Sequence, residues 1–291
     1  MGDVIYCLKQ LGKVRTAETY TSTLHSFMRF NQTKNVRPDE ISADMMMDYE
    51  AFLKSGGVTM NTVSFYMRIL RAVYNRAVEK GLTKQANPFR HVYTGVDKTA
   101  KRAIPLEAVR RIKALDLHTN PGMDFARDMF LFSFYTRGMS FVDMAYLSAS
   151  DLRHGVLSYR RRKTGQCLSI RWERCMQEIL DKYPANNTGY LLPIIRRRGN
   201  ERTQYRNMQR LVNNKLKKIS DMAGLKMNLT MYVSRHSWAS IAKNQNIPLS
   251  VISEGMGHVS ESTTQIYLAS LDNSTIDKAN EMILKKLKSN K

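Results

Sequence analysis

The sequence has few cysteines and no long hydrophobic run. It contains three cysteines, Cys7, Cys167 and Cys175, and neither their odd number nor their spacing suits a disulfide framework or a zinc site. No stretch of about 18 consecutive apolar residues is present, so we predict no membrane-spanning helix. The first residues also lack the basic and apolar segments of a secretory signal. These absences favour a cytoplasmic protein.

Acidic residues are also scarce relative to basic ones. The 291 residues include 46 Lys and Arg against 25 Asp and Glu, a formal net charge of +21. Residues 151–220 alone carry 17 basic and 5 acidic side chains. Such an excess favours a polyanionic partner. An anionic membrane surface is the alternative, but no segment combines a basic face with a strongly apolar face and an aromatic anchor. We therefore predict a nucleic acid as the partner.

The length and the hydrophobic pattern predict two domains. A hydrophobic content of 43% and a charged content of 24% are typical of a folded chain, and 291 residues exceed the usual size of one domain. Residues 1–95 follow a helical pattern throughout, and Ser42 is a candidate cap for a helix that ends at Gly56-Gly57. A polar stretch from Asn87 to Arg102 breaks this pattern. We place the interdomain linker at residues 96–104 and the second domain at residues 105–291.

The second domain is also predicted to be mainly helical, with one interruption. Residues 156–160 and 168–170 have the composition of short strands, and Lys163-Thr164-Gly165 between them suits a hairpin turn. The sequence therefore predicts a mainly α protein with a small antiparallel β-sheet. Further helices are predicted at residues 172–183, 203–222, 233–244, 248–255, 260–268 and 274–288.

Four segments of the second domain carry residues suited to phosphate chemistry. Arg137 follows an apolar helix, Lys163 lies in the hairpin turn, Arg235 belongs to Arg235-His236-Ser237-Trp238-Ala239, and Gly257-His258 precedes Tyr267 by ten and nine residues. Taken alone, each has an ordinary structural explanation: a helix cap, a solvated lysine, a packed histidine or a core tyrosine. Their order and spacing together favour a shared site.

This series resembles that of the tyrosine recombinases, also called phage integrases. The resemblance covers nearly the whole chain, and it implies an N-terminal SAM-like four-helix core-binding domain followed by a catalytic domain. It implies that Arg137 and Arg235 are the two catalytic arginines and Lys163 the hairpin lysine. By the same resemblance, His258 is the later catalytic histidine and Tyr267 the nucleophile.

Three further residues are supporting candidates. Asp143 occupies a position where the family often has an acidic residue, displaced by a short insertion; it either orients the first arginine or is a surface aspartate. Tyr232 replaces a histidine that the family usually has three residues before the second arginine. A phenol donates a hydrogen bond but titrates near pH 10, so we expect Tyr232 to position the phosphate rather than act as a base. His236 is a possible substitute for that histidine, although packing inside the domain is the preferred interpretation.

The resemblance also implies the reaction and its partners. A tyrosine hydroxyl attacks double-stranded DNA, leaving a 3′-phosphotyrosine and a 5′-hydroxyl, with no metal, no ATP and no other cofactor. A homotetramer on DNA is expected, in a bacterial cytoplasm close to the nucleoid, with an integrase or invertase role for a mobile element. The basic residues that we predict to contact DNA are Arg160, Arg161, Arg162, Lys98, Lys101 and Arg102.

Alternatives remain at this stage. The helical stripe Ile276, Ala279, Ile283, Leu284 and Leu287 could dock on a neighbouring protomer or on its own domain. Tyr232 is compatible with a catalytically impaired DNA-binding relative. A type IB topoisomerase would share the chemistry but relax supercoils without exchanging partners.

Overall fold

The chain forms two compact units, Met1–Ala100 and Lys101–Lys291. The computed structural model describes residues 1–33, 35–97, 102–184, 187–258 and 260–268, with the backbone alone for Ile266 and Tyr267. Lys98, Lys101 and the predicted helix at 274–288 lie outside these residues.

The first unit contains the four helices that the resemblance implied. Ser42 caps the third, because its hydroxyl accepts a hydrogen bond from the Met45 N–H at 3.1 Å, and that helix ends before Gly56 as predicted. The fourth helix begins after Thr59 and ends before Lys80. The helices are α1 (Gly2–Gln10), α2 (Val14–Phe30), α3 (Ala43–Ser55) and α4 (Met60–Glu79).

The core of the first unit is aromatic and rich in methionine. Tyr49 and Met67 are fully buried, and the Tyr49 hydroxyl donates to Ser26 Oγ at 2.8 Å, which satisfies the polar end of a buried ring. Phe89 and Val92, which follow the last helix, are buried in the same core. The polar stretch that begins at Asn87 in the sequence is therefore packed against the first unit over its first residues.

The second unit is helical around one small sheet. Strands β1 and β2 are antiparallel, as are β2 and β3, and Leu157 pairs with Ile170 on the buried face. The predicted hairpin is confirmed as β2 and β3, whereas β1 was missed because a two-residue strand has no alternating pattern to detect. The elements are α5 (Leu106–Ala114), α6 (Pro121–Tyr135), α7 (Phe141–Ala145), β1 (Leu152–Arg153), β2 (Val156–Arg160), β3 (Cys167–Arg171), α8 (Arg174–Asp181), α9 (Glu201–Met222), α10 (Met231–Asn244), α11 (Leu249–Met256) and α12 (Glu261–Tyr267).

Helix α6 forms the centre of the second unit. Phe130 and Phe132 are fully buried, and the helix packs against both α9 and α10. Ile104 is also buried in this core, and its N–H donates to Ser237 Oγ on α10 at 3.0 Å. Ile104 was assigned to the linker at 96–104, and its packing belongs instead to the second unit. The linker boundary otherwise stays a prediction.

A smaller core holds the last described helices together. Ala239 of α10, Ile252 and Met256 of α11, and Leu268 just after α12 are buried against one another. Because Leu268 follows Tyr267 directly, this contact fixes the end of α12 beside α10 and α11. The packing therefore sets the position of the Tyr267 backbone.

Candidate active site

Arg137 lies immediately after the buried helix α6. It adopts a left-handed backbone conformation, with φ +60°, and Gly138 follows with φ +75°. The side chain is half-buried and runs beside α11, since a Cβ at Gly255 would lie 3.7 Å from Arg137 Cδ. No residue in the described part of the chain accepts a hydrogen bond from its guanidinium, so none of these residues competes with a ligand for its donors.

Arg235 is buried on α10 and joins three segments that are far apart in sequence. Its Nη1 donates to the Gly138 carbonyl at 2.8 Å, and its Nη2 donates to the Met256 carbonyl at 2.7 Å. The same Nη2 lies 2.9 Å from His258 Nε2. Gly138 has to lack a side chain here, because a Cβ would lie 2.7 Å from Arg235 Cα.

His258 is held between Arg235 and the buried Thr264 of α12. Its Nδ1 lies 2.7 Å from Thr264 Oγ1, while Nε2 faces the arginine. Burial lowers the pKa of His258 to about 4, with further lowering by the positive charges of Arg235, Arg161 and Lys163. The imidazole is therefore neutral at pH 7 in the protein without DNA.

Asp143 connects the start of α7 to the hairpin. One carboxylate oxygen accepts from Ser140 Oγ at 2.7 Å, and the other accepts from the Arg162 N–H at 2.8 Å. Asp143 is 3% exposed, so the interpretation as a surface aspartate is wrong. Its hydrogen bonds hold the base of the hairpin rather than the guanidinium of Arg137.

Lys163 and the three arginines before it have different environments. Lys163 is exposed in the turn between β2 and β3. Arg160 and Arg162 are also exposed; the first donates to the Gly165 carbonyl at 2.6 Å, and the second stacks 3.8 Å above the ring of Tyr146. Arg161 is 6% exposed and donates to the Gly257 carbonyl, so its guanidinium is held inside the second unit, and its contact with DNA stays a prediction.

Tyr232 and His236 lie with Arg235 on one side of α10. Tyr232 is 45% exposed, and its ring meets that of His236 edge-on, with the centroids 4.5 Å apart. Residues three apart on a helix share a face, so the Tyr232 phenol and the Arg235 guanidinium originate from the same side. His236 is half-buried, which differs from the fully packed position that we expected.

Tyr267 is the last residue of α12, and its side chain lies outside the described part of the structure. Of the remaining predicted DNA contacts, Arg102 is exposed, whereas Lys98 and Lys101 lie outside the described residues. Among the residues described, no group of three or more His, Cys, Asp or Glu could hold a metal ion. None of the described helices is long and apolar enough to span a bilayer.

Two contributors to the site escaped the sequence reasoning. Thr264, the partner of His258, is one of several hydroxyl residues in Glu261–Tyr267, and nothing in composition separates it from its neighbours. Gly138 had a usable signal, since a glycine directly after a helix-terminal arginine suggests a required close approach.

The N-terminal and C-terminal parts of the chain match two related protein families. Residues 3–94 match the phage integrase SAM-like domain, and residues 127–274 match the phage integrase family. The chain belongs to the phage integrase family. It is a tyrosine recombinase, an enzyme of site-specific recombination.

Curated relatives of this recombinase are similar over most of its length. Tyrosine recombinase XerA of Pyrococcus furiosus is 23% identical over 257 residues, covering 87% of this chain and 82% of the relative. Tyrosine recombinase XerC of Thermodesulfovibrio yellowstonii is 25% identical over 268 residues, covering 87% and 84%.

Solved structures share the fold of the recombinase at low identity. A lambda integrase (75-356) dimer bound to a COC′ core site aligns with a TM-score of 0.71 and 15% identity, covering 93% of this chain and 96% of that chain. A lambda integrase tetramer bound to a Holliday junction aligns with a TM-score of 0.64 and 16% identity, covering 89% and 74%. These likenesses confirm the mainly α fold with its small sheet.

Proposed function

We propose that this recombinase cleaves and rejoins double-stranded DNA through a 3′-phosphotyrosine bond at Tyr267. The observation that carries the proposal is the convergence on Arg235, which contacts the segment after Arg137 and the turn that holds His258. Three of the five residues expected from the resemblance, Arg137, Arg235 and His258, thereby belong to one region of the second unit. Lys163 is one of the charges that lower the pKa of His258, and the backbone of Tyr267 is docked beside α10 and α11.

In the proposed reaction, the Tyr267 hydroxyl oxygen forms a bond to a DNA phosphorus and the bond from phosphorus to the 5′ oxygen breaks. The phenol releases its proton to water, and the departing 5′ oxygen gains one from Lys163. A 5′-hydroxyl of another strand then attacks the phosphotyrosine and returns its proton to Lys163. The bond from phosphorus to the Tyr267 oxygen breaks, the phosphodiester is restored, and the phenolate takes up a proton from water. Since the ester conserves the energy of the broken bond, rejoining requires no ATP.

The charge that develops on the phosphate is assigned to protein donors. Arginine stays protonated and presents a planar fork that pairs with two phosphate oxygens, so Arg137 and Arg235 suit this role without a metal ion or another cofactor. His258 is neutral and accepts a hydrogen bond from Arg235 at Nε2, so it orients that guanidinium instead of adding a charge of its own. Transferring a phosphoryl group depends mainly on such positioning and charge stabilisation.

Lys163 is proposed as the general acid. Its ammonium is exposed on a turn, and it is one of the charges that lower the pKa of His258, so it lies within electrostatic reach of the site. An exposed lysine on a short turn can approach the 5′ oxygen once DNA is bound. Protonating that oxygen as it departs removes the cost of expelling an alkoxide.

The direct test is covalent trapping on DNA. In a substrate with a nick close to the cleavage site, cleavage releases a short strand that carries the 5′-hydroxyl. Without that hydroxyl the DNA is not rejoined, so the protein remains attached through Tyr267. Wild type should form a protein–DNA band that resists denaturation, and Tyr267→Phe should form none. No band from either protein would favour the impaired relative. Relaxation of plasmids that lack a specific site would favour the topoisomerase.

DNA binding and assembly belong to the same proposal, as does a place in the cytoplasm beside the nucleoid. A net charge of +21 and the DNA-bound structures of proteins with this fold support double-stranded DNA as the partner. Binding should weaken steeply between about 50 and 200 mM salt, because neutralised phosphates release counterions. A homotetramer is proposed by analogy with the lambda integrase tetramer. The mass of complexes on DNA with two sites would decide it.

A further inference from the structure

Arg161 is a buried charge between the hairpin and the turn that leads to His258. Its side chain is 6% exposed, and its guanidinium donates to the carbonyl of Gly257, 96 residues away in sequence. Gly257 has φ +64°, and a Cβ there would lie 2.7 Å from Arg161 Cδ. The arginine stem therefore occupies the space that the missing side chain leaves.

The backbone of Arg161 closes the turn that carries Lys163. Its N–H donates to the Gln166 carbonyl at 2.8 Å, and its carbonyl accepts from the Gly165 N–H at 2.8 Å. One residue thus determines the turn through its backbone and contacts the end of α11 through its side chain. The adjacent carbonyl of Met256 accepts from Arg235, so two arginines hold two consecutive carbonyls.

We propose that Arg161 is a positioning residue, which fixes the hairpin turn of Lys163 against the Gly257-His258 turn. The functional meaning of this link rests on the proposed function, because it is there that Lys163 acts as the general acid. The link is a property of the folded chain and is testable without DNA.

Filling space in the core does not by itself explain a charged side chain at position 161. Burying a guanidinium is unfavourable unless hydrogen bonds and charge partners offset the loss of its hydration. Among the described residues, the Nε atom of Arg161 has no hydrogen-bond partner. An apolar side chain of similar length would fill the same space without that cost, so the charge has to be explained by what it holds or influences.

The test compares Arg161→Met with Arg171→Met. Methionine keeps an unbranched stem and removes the guanidinium. Arg171 lies on β3 of the same hairpin with an 84% exposed side chain, so its replacement makes the same charge change outside the site. Trapping on a nicked substrate should fall about 100-fold for Arg161→Met, at the low end of a general-acid contribution. Arg171→Met should stay close to wild type.

A second substrate separates positioning of Lys163 from general damage. When sulfur replaces the bridging 5′ oxygen, the leaving group is a thiolate that needs no proton. Arg161→Met should then recover most of its cleavage rate, as Lys163→Ala should, whereas Arg235→Ala should not. An equal loss on both substrates would overturn the proposal. If Arg161→Met does not fold, Arg161→Lys takes its place in the experiment. Arg161→Lys should show a smaller loss of cleavage rate on the oxygen substrate and the same recovery of that rate on the sulfur substrate.

The third measurement uses the free protein and NMR titration of His258. Arg235, Arg161 and Lys163 are charged groups of the described residues that lower the pKa of this imidazole, and Thr264 contacts its Nδ1. Removing Arg161 should raise the pKa of His258, and Arg171→Met should leave it unchanged. An unchanged pKa in Arg161→Met would refute the link even if trapping succeeds. Failure of the wild type to form a covalent complex would refute only the proposed function.

Discussion

Nη2 of Arg235 lies 2.9 Å from Nε2 of His258, and this contact determines which nitrogen of the histidine carries the proton. A guanidinium has donors but no acceptor, so Nε2 has to be the unprotonated nitrogen. The proton then resides on Nδ1, which donates to Thr264 Oγ1 at 2.7 Å. Protonating Nε2 would place its N–H opposite the Arg235 Nη2 donor, which is unfavourable. This agrees with the lowered pKa of His258.

His258 should titrate far below an ordinary histidine. Its pKa is lowered to about 4, first by burial and then by Arg235. An ordinary histidine, as in the unfolded chain, has a pKa of about 6.5. Between about pH 4 and pH 6.5 the folded protein therefore binds fewer protons at His258 than the unfolded chain does. The free energy of unfolding should fall as the pH is lowered through that window. NMR titration of the histidine side chains would measure the pKa and the tautomer.

The control for this titration is His258→Gln, which identifies the resonance. Glutamine has no group that titrates between pH 4 and pH 6.5. The free energy of unfolding of the His258→Gln variant should therefore depend less steeply on pH than that of wild type. A pKa of His258 at or above 6, or a proton on Nε2, would contradict the hydrogen-bond assignment.

Arg137→Ala should strongly reduce the rate of DNA cleavage and leave the free energy of unfolding close to that of wild type. Its guanidinium makes no hydrogen bond within the described part of the chain, so removal leaves no partner unsatisfied there. Loss of one donor that stabilises developing charge costs about 10²- to 10³-fold in rate. The measurement is the rate of trapping on nicked DNA, with DNA affinity and thermal unfolding determined in parallel.

Arg235→Ala should reduce the rate of DNA cleavage at least as much as Arg137→Ala does. Unlike Arg137→Ala, it should also lower the free energy of unfolding. The carbonyls of Gly138 and Met256 would lose their donor, at about 1–3 kcal/mol for each buried group left unpaired. Arg174→Ala is the matched control for both variants, because that side chain is 93% exposed on α8. Normal recombination by either Arg137→Ala or Arg235→Ala would refute the site assignment.

Tyr232→Phe should have a smaller effect than Arg235→Ala. The Tyr232 ring is 45% exposed and packs edge-on against His236, a contact that phenylalanine preserves. Only the hydroxyl is lost, and a neutral hydrogen bond contributes about 0.5–1.5 kcal/mol, or about a tenfold change in rate. Trapping rates of the two variants on one substrate provide the comparison. Equal losses would make Tyr232 a principal catalytic group.

Much of the fold was predictable because local signals agreed with the tertiary structure. Ser42 caps its helix as its hydroxyl predicts, and the turn at Lys163 to Gly165 separates the two antiparallel strands that the composition predicts. The packing of Phe89 and Ile104 was not predictable from a polar stretch, because the burial of a single apolar residue depends on a partner distant in sequence.

The candidate site was predictable as a set of residues but not as a set of contacts. The order of Arg137, Lys163, Arg235 and His258 identifies the family. Arg161 was grouped with Arg160 and Arg162 in a run of three arginines, yet strand alternation separates it from them. Leu157, Tyr159 and Arg161 are buried, and the residues between them are exposed. Alternation predicts the inward direction of Arg161 but not its partner, the Gly257 carbonyl, which is distant in sequence.

Gly138→Ala should destabilise the protein much more than Gly155→Ala. Both glycines have a left-handed backbone, with φ +75° and +71°, so both variants incur a strain of about 1–2 kcal/mol. A Cβ at Gly138 would in addition lie 2.7 Å from Arg235 Cα, whereas a Cβ at Gly155 meets nothing within 4 Å. Overpacking of this kind adds about 1–3 kcal/mol.

Chemical denaturation of the two variants measures the difference directly. Gly138→Ala should also reduce trapping on nicked DNA, because the backbone shift that relieves the clash moves the carbonyl that Arg235 Nη1 contacts. Gly155→Ala, in the turn between β1 and β2, should trap DNA as wild type does. Equal free energies of unfolding would mean that the close approach of Gly138 to Arg235 does not constrain the site. Because backbone strain is nearly matched in the two variants, any difference between them reports that contact.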